Sequence, residues 1–308
     1  MWNKKGVIFD VNSYNDWMVS HACVPTPLLI DDETIRIYYA PRNKFGKSIP
    51  TYIDVNSRNP SDVKYIHKSP ILELGELGTF DDDGIMPCSV VRLTESCIYL
   101  YYVGWNPSVS VPYRNSIGLA ISNDNGTSFE KAFKGAILER NKVEPFFTAS
   151  PYVMKIENQW MMWYASSTGF ILVDGKPEPL YEIKFAHSND GIDWIRPNIT
   201  CIPPLEEYQC TARPTVIYEN EIFKMWFTYR GSFDYRDGKN SYRIGYAESE
   251  DGVIWNRNDF NCGIDISVTG WDSLMQTYPA VIDVMERKYL FYNGNGFGKT
   301  GIGYAQWI

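Results

Sequence analysis

IGLAISNDNGTSFEK (residues 117–131), IKFAHSNDGIDWIRP (183–197) and IGYAESEDGVIWNRN (244–258) are three versions of one phrase. Each opens with alternating apolar and small or polar residues, reaches Ser-x-Asp, turns at a glycine and resumes with an aromatic residue. Alternation at period two predicts strands on both sides. The turn has its own chemistry: an Asp side chain accepts backbone N–H bonds while the glycine takes positive φ. Asp124, Asp190 and Asp251 look like catalytic acids by type, but their position assigns them to turn architecture.

Upstream of the phrase, a proline starts an apolar run five times, at Pro25, Pro87, Pro151, Pro214 and Pro279. Each run leads through a short polar turn to an aromatic strand: IRIYYA, IYLYYV, WMMWYA, FKMWFT and YLFYN. A third strand follows each, SIPTYIDV in the first copy and GIGYAQWI in the last. The last copy stops there, and the N-terminal WNKKGVIF resembles the missing fourth strand (compare WNRNDFNCGI). Repeats of this length are the mark of a propeller. The expected fold is therefore all-β: one five-bladed β-propeller over residues 1–308, four antiparallel strands per blade, with the N-terminal strand closing the last blade.

Composition narrows the function. Of 308 residues, 44% are hydrophobic, enough for a large core. Lys plus Arg number 29 against 37 Asp plus Glu, a net charge of -8, which excludes the electrostatic footprint of a nucleic-acid binder. The N-terminus has no signal-peptide pattern, and no apolar run reaches bilayer-spanning length. Six cysteines lie scattered without CxxC or zinc spacing and read as reduced thiols. The expectation is a cytoplasmic protein with no cofactor and no metal; oligomeric state is not legible.

Strand reversal places the Ser-x-Asp-Gly turns on one face. The starts of the innermost strands and the long second-to-third-strand loops share the other face. There the sequence collects His21, Arg42, Asp83, Trp105, Asn106, Ser150, Glu207, Arg213, Arg230, Asp272 and Tyr278, with Glu144 in the connection entering blade three. Aromatic rings among Asn, Ser and Arg suit sugars, whose apolar faces stack while hydroxyls take hydrogen bonds. Several arginines at one mouth suit an anionic sugar equally as they suit neutralisation of the nearby acids.

These features resemble the five-bladed propellers of the arabinanase, levansucrase and invertase superfamily (glycoside hydrolase families 32, 43, 62, 68 and 130). Within that group the chain is most similar to uncharacterised bacterial members. The resemblance rests on proline-led first strands, YYLYY-like second strands, IGxAxS third strands and SxDGxxW turns, and covers essentially the whole chain. It implies a carbohydrate ligand and a role in glycan or polysaccharide metabolism. It also implies acids at three positions that hold Val24, Cys88 and Ala149 here.

Asp83 and Glu144 are the nearest substitutes, and a pair of carboxyl groups is what glycoside hydrolysis ordinarily uses. They are the expected general acid and base or nucleophile, with His21, Arg42, Trp105, Asn106, Ser150, Glu207, Arg213, Arg230, Asp272 and Tyr278 binding substrate. Alternatives stay open: a carbohydrate-binding propeller without catalysis, or one acting on a nucleotide- or phosphate-linked sugar. For Asp83 and Glu144 the competing reading is structural pairing with neighbouring cations.

Overall fold

In the computed structural model, which describes all residues except 12, 13, 15 and 232, the strands form five four-stranded antiparallel sheets. Blade one holds β2 (Ser20–Asp31), β3 (Thr34–Arg42), β4 (Thr51–Asn56) and β5 (Val63–Ile66). Blade two holds β6 (Gly84–Arg92), β7 (Ile98–Pro107), β8 (Tyr113–Ser122) and β9 (Glu130–Lys131). Blade three holds β10 (Thr148–Ile156), β11 (Gln159–Val173), β12 (Lys176–Ser188) and β13 (Thr200–Ile202). Blade four holds β14 (Cys210–Glu219), β15 (Ile222–Arg230), β16 (Arg243–Ser249) and β17 (Asn256–Arg257).

Blade five is assembled from both ends of the chain. β18 (Thr277–Val284), β19 (Arg287–Asn293) and β20 (Ile302–Trp307) are joined by β1 (Trp2–Phe9), with Trp2 opposite Trp307. The Met1 amino group donates to the Ile308 carbonyl at 3.0 Å, and the Ile308 N–H returns a bond to Met1 at 3.1 Å. Ring closure leaves β20 no open edge. Among the described residues the one helical element is a single 3-10 turn, Asp259–Cys262, and no helix is long and apolar enough to cross a membrane.

The core lies between blades. Five apolar clusters each join one blade to the next, as where Ile37 and Tyr39 of blade one pack with Phe291 and Tyr304 of blade five. Two neighbouring aromatics in the second strands add directional bonds. The first of each pair reaches forward: Tyr38 donates to the Gly126 carbonyl, Tyr101 to Gly191 and the Trp163 indole to Gly252. Those three glycines are the turn glycines of the next blade, at φ of 77°, 77° and 72°. The turn aspartates behave as the sequence predicts, Asp190 Oδ1 accepting from the N–H groups of Ile192 and Asp193 and Asp251 Oδ1 from those of Val253 and Ile254.

The second aromatic of the pair holds its own blade together. Tyr102 donates to Asp81 at 2.9 Å, Tyr164 to Glu144 at 2.9 Å and Tyr292 to Asp272 at 3.0 Å. A cation from an outer segment completes each set: Lys131 on Asp81 and Lys4 on Asp272, both at 2.7 Å, and Arg196 on Glu144 at 3.6 Å. In blades two and five the residue before the acid, Phe80 or Trp271, also packs its ring against the same tyrosine. These ties fasten the connection entering a blade to that blade's second strand and to its outermost strand or, in blade three, to the segment leading into it.

Candidate functional site

Each innermost strand carries a bulge beside its proline. The register slips between Cys23 and Thr26, Pro87 and Ser89, Ala149 and Tyr152, Ala212 and Thr215, and Thr277 and Ala280. A bulge turns its extra residue out of the ladder and re-aims the side chain. The residues so re-aimed are Val24, Cys88, Ser150, Arg213 and Tyr278, one per blade, and all five line a cavity of about 300 Å³. Four of them sit at left-handed φ: Val24 at 60°, Ser150 at 48°, Arg213 at 50° and Tyr278 at 55°. That conformation is costly for a residue with a side chain, above all for β-branched Val24. Asn293 of blade five holds it in place, accepting from the Val24 N–H at 2.9 Å and donating to the Ala22 carbonyl at 2.8 Å.

The cavity walls come from the long loops and hairpins between second and third strands. Trp105 is fixed by an indole bond to Ser48 at 2.7 Å. Tyr113, Tyr181, Tyr235 and Tyr242 form an aromatic wall with Phe147 and Phe297. Behind it the Arg230 guanidinium lies 3.8 Å from the Tyr235 ring centroid and donates to the Tyr181 hydroxyl at 3.0 Å. The Tyr181 and Tyr242 hydroxyls are bonded to each other, and Tyr235 donates to Glu178, which also pairs with Arg236 at 2.8 Å.

The floor combines apolar surface with a buried cation. Cys23, Val24, Cys88, Val103, Phe147, Ala149 and Ala165 pack as one cluster, so the three positions where the resemblance implies acids all face this space with apolar side chains. Arg213, only 2% exposed, crosses from blade four to donate to the carbonyls of Cys88 and Pro25 and to Thr26 Oγ1. Its Nε has no hydrogen-bond partner. Burial pulls its pKa below the usual arginine range. Burial likewise pushes the Cys23 and Cys88 thiols up to about 11, so both are protonated at neutral pH and unfit as nucleophiles.

Of the residues expected here from sequence, Arg42, Trp105, Ser150, Arg213 and Tyr278 line the cavity together. Arg230 stands one layer behind it. His21 lies beside the cavity, bonded through Nδ1 to Ser20 Oγ at 2.8 Å; burial, then the charges of Arg42 and Lys299, bring its pKa down to about 4. Asn106 is turned to the Thr79 carbonyl at 3.1 Å, and Glu207 is solvent-exposed. Asp272 belongs to the blade-five tie.

Asp83 and Glu144, the expected catalytic pair, both lie outside the lining of this cavity. Asp83 pairs with Lys47 at 2.7 Å with 28% of its side chain exposed. Glu144 is 2% exposed and enclosed by Tyr164, Ser166 (2.7 Å) and Arg196, the blade-three equivalent of Asp81 and Asp272. Neither lines the cavity, and among the described residues no carboxylate does. Asp81, two residues before Asp83, is fully buried. The tyrosine wall, Arg236 and Ser48 were not legible in the sequence, because Tyr235, Arg236, Tyr242 and Ser48 lie in irregular loops and Tyr113 and Tyr181 lie on strand extensions beyond the repeated third-strand phrase. A crevice of about 660 Å³ between blades four and five is larger, but its Glu219, Lys224 and Lys288 neutralise one another at 2.7 and 3.1 Å.

No family model matches the chain. It is 34% identical over 305 residues to the uncharacterized protein Rv1502 of Mycobacterium tuberculosis strain H37Rv, covering 99% of this chain and 98% of that one. Among solved structures, a glycoside hydrolase superposes with a TM-score of 0.76 at 16% identity, covering 99% of this chain and 91% of its own. A thermostable family-43 glycoside hydrolase gives 0.67 at 14% identity, with 95% and 90% covered. A structure from glycoside hydrolase family 130, a family of mannoside phosphorylases that contains hydrolases of β-1,2-mannosidic linkages, gives 0.66 at 17%, with 100% and 93% covered. At these identities the structural likeness is one of fold.

Proposed function

The chain belongs to one family with the Mycobacterium tuberculosis protein and has the five-bladed fold of the family-43, -32 and -130-like propellers, and from that premise we propose that it takes a carbohydrate ligand into the axial cavity. The observation that carries this is the ring of five bulge residues, Val24, Cys88, Ser150, Arg213 and Tyr278, beneath an aromatic wall. Aromatic faces with a few fixed polar groups are what a sugar ring requires. The volume is at the lower end of the roughly 300–1,000 Å³ typical of small-molecule sites, which favours one sugar unit over a long chain. Backbone strain kept at every blade but the second is consistent with a pre-organised site.

The chemistry supported best is recognition. Hydrolysis by two carboxylates needs both to flank the scissile bond, and here the lining groups are arginine, tyrosine, serine, asparagine and neutral thiols. A glycosidase reading is favoured by one feature, the Tyr235–Glu178 couple at the wall, since a tyrosine can replace a carboxylate nucleophile in some glycosidases. A glycan array, read for retention and for release of reducing sugar, separates these readings. Retention without release, reduced by Tyr181→Ala or Trp105→Ala, is the expected result. Release that falls to background in Asp83→Asn and Glu144→Gln variants shown to be folded would restore the two-carboxylate enzyme.

A further inference from the structure

Two guanidinium groups flank residue 24 without an acid between them. Arg42 lines the cavity together with Cys23 and Val24, and Arg213 reaches the Pro25 carbonyl at 3.1 Å. Among the described residues neither has an ion-pair partner, whereas Lys4, Lys131, Arg196 and Arg236 each have an acid; buried Arg230 also lacks one, but Tyr181, two carbonyls and the Tyr235 ring engage its whole guanidinium. A buried guanidinium whose only partners are neutral carbonyls and a hydroxyl loses its hydration without recovering an opposite charge. Arg213 keeps one N–H donor unused in that position. The floor around both groups is apolar, so a charge brought there acts through little intervening solvent.

We infer that the carbohydrate is an acidic sugar, and that its carboxylate is the missing counter-ion, seated over Val24 between Arg42 and Arg213. This rests on the carbohydrate reading above and names the ligand class. A single negative charge fits better than a phosphate dianion. Arg213 has both terminal nitrogens engaged and its free Nε enclosed by protein, so it acts on the ligand by charge alone, and a phosphate calls for more donors than Arg42 supplies. The sugar ring then rises toward Trp105 and the tyrosine wall, with Ser150 and Asn115 available to hydroxyls.

Val24 supplies the test. Its left-handed φ of 60° suits Asp or Asn better than valine, so either substitution is compatible with the backbone there. Val24→Asp puts a carboxylate of the protein's own where the ligand's belongs, and Val24→Asn is the uncharged control. Without any ligand, Val24→Asp is expected to melt higher than Val24→Asn, because it neutralises the two arginines. Calorimetric titration is then run with D-glucuronate, D-galacturonate and D-mannuronate, their neutral parent hexoses, the hexose 6-phosphates and sodium acetate.

The expected result is at least one uronate bound tenfold or more tighter than its parent, with that preference retained in Val24→Asn and lost in Val24→Asp and Arg42→Gln. Neutral hexoses binding as well as the acids, or a 6-phosphate binding in their place, overturns the inference and leaves the carbohydrate reading intact. Acetate raising the melting temperature through Arg42 while no sugar binds upholds the anion seat and sinks the carbohydrate reading. A Val24→Asp variant that melts no higher than Val24→Asn and keeps the wild-type ligand preference sinks the seat itself.

Discussion

Gly191 shows how much a single position in the repeated turn carries. Its φ of 77° is one that side chains rarely adopt, and an added Cβ would lie 2.7 Å from the Tyr101 hydroxyl of the preceding blade. Gly191→Ala is expected to cost about 1–3 kcal/mol, and Tyr101→Phe, which loses only the bond to the Gly191 carbonyl, about 1 kcal/mol. Urea denaturation of both single variants and the double variant checks this, with a double-variant cost well below the sum if the two residues meet as described. His21 is a second residue-scale test. Its folded pKa near 4 lies below the ordinary 6.5, so the unfolded chain binds more protons between those values and stability falls as pH drops from about 6.5 toward 4. An NMR titration should find the imidazole midpoint near 4; a midpoint at 6.5 would show that His21 is not buried beside Arg42 and Lys299.

The inter-strand connections are where sequence and structure part most clearly. In TFDDDGIMP (79–87) three adjacent aspartates have three separate fates: Asp81 is buried on Tyr102 and Lys131, Asp82 accepts from the Gly78 N–H at 2.7 Å, and Asp83 pairs with Lys47. Strand alternation was legible because it depends on the local period. Which acid is swallowed depends on the path of the connection over the blade, and no local period records that path. A partial signal did exist: Phe80–Asp81 and Trp271–Asp272 are both aromatic–acid pairs ahead of a proline-led strand. The ties predict behaviour that catalysis would not. Glu144→Ala leaves Arg196 without its acid and should lose about 3–5 kcal/mol, measured by denaturant unfolding. Asp272→Asn gives a pH signature. Although burial raises the Asp272 pKa, the bonds from Lys4, Ser267 and Gln276 outweigh it and hold the carboxyl below the usual range. A depressed folded pKa stabilises above the unfolded value of roughly 3.9, so the gap between wild type and variant should be full at neutral pH. It should close as pH falls through the acid range.

At the scale of the whole molecule the repeat was legible almost completely, down to the N-terminal strand in blade five, because five copies of one pattern constrain each other. The cavity was half legible. Prolines marked the bulges that aim Arg213, Ser150 and Tyr278 inward, whereas the tyrosine wall depends on how separate loops meet. Closure itself makes a prediction. Removing residues 1–9 exposes the edge of β20 and should yield an aggregating protein. A circular permutant joining Met1 to Ile308 by a short turn and reopened at the exposed Thr94–Ser96 hairpin should stay folded and monodisperse by size-exclusion chromatography. The central claim is that this ring surrounds an acidic-sugar site rather than a pair of catalytic carboxylates. A crystal structure of the protein soaked with the tightest-binding uronate addresses it most directly. Sugar density in the axial cavity, with its carboxylate between Arg42 and Arg213 and its ring against Trp105 or the tyrosine wall, is the result expected. Density bracketed by Asp83 and Glu144, or lodged in the crevice between blades four and five, would contradict the account.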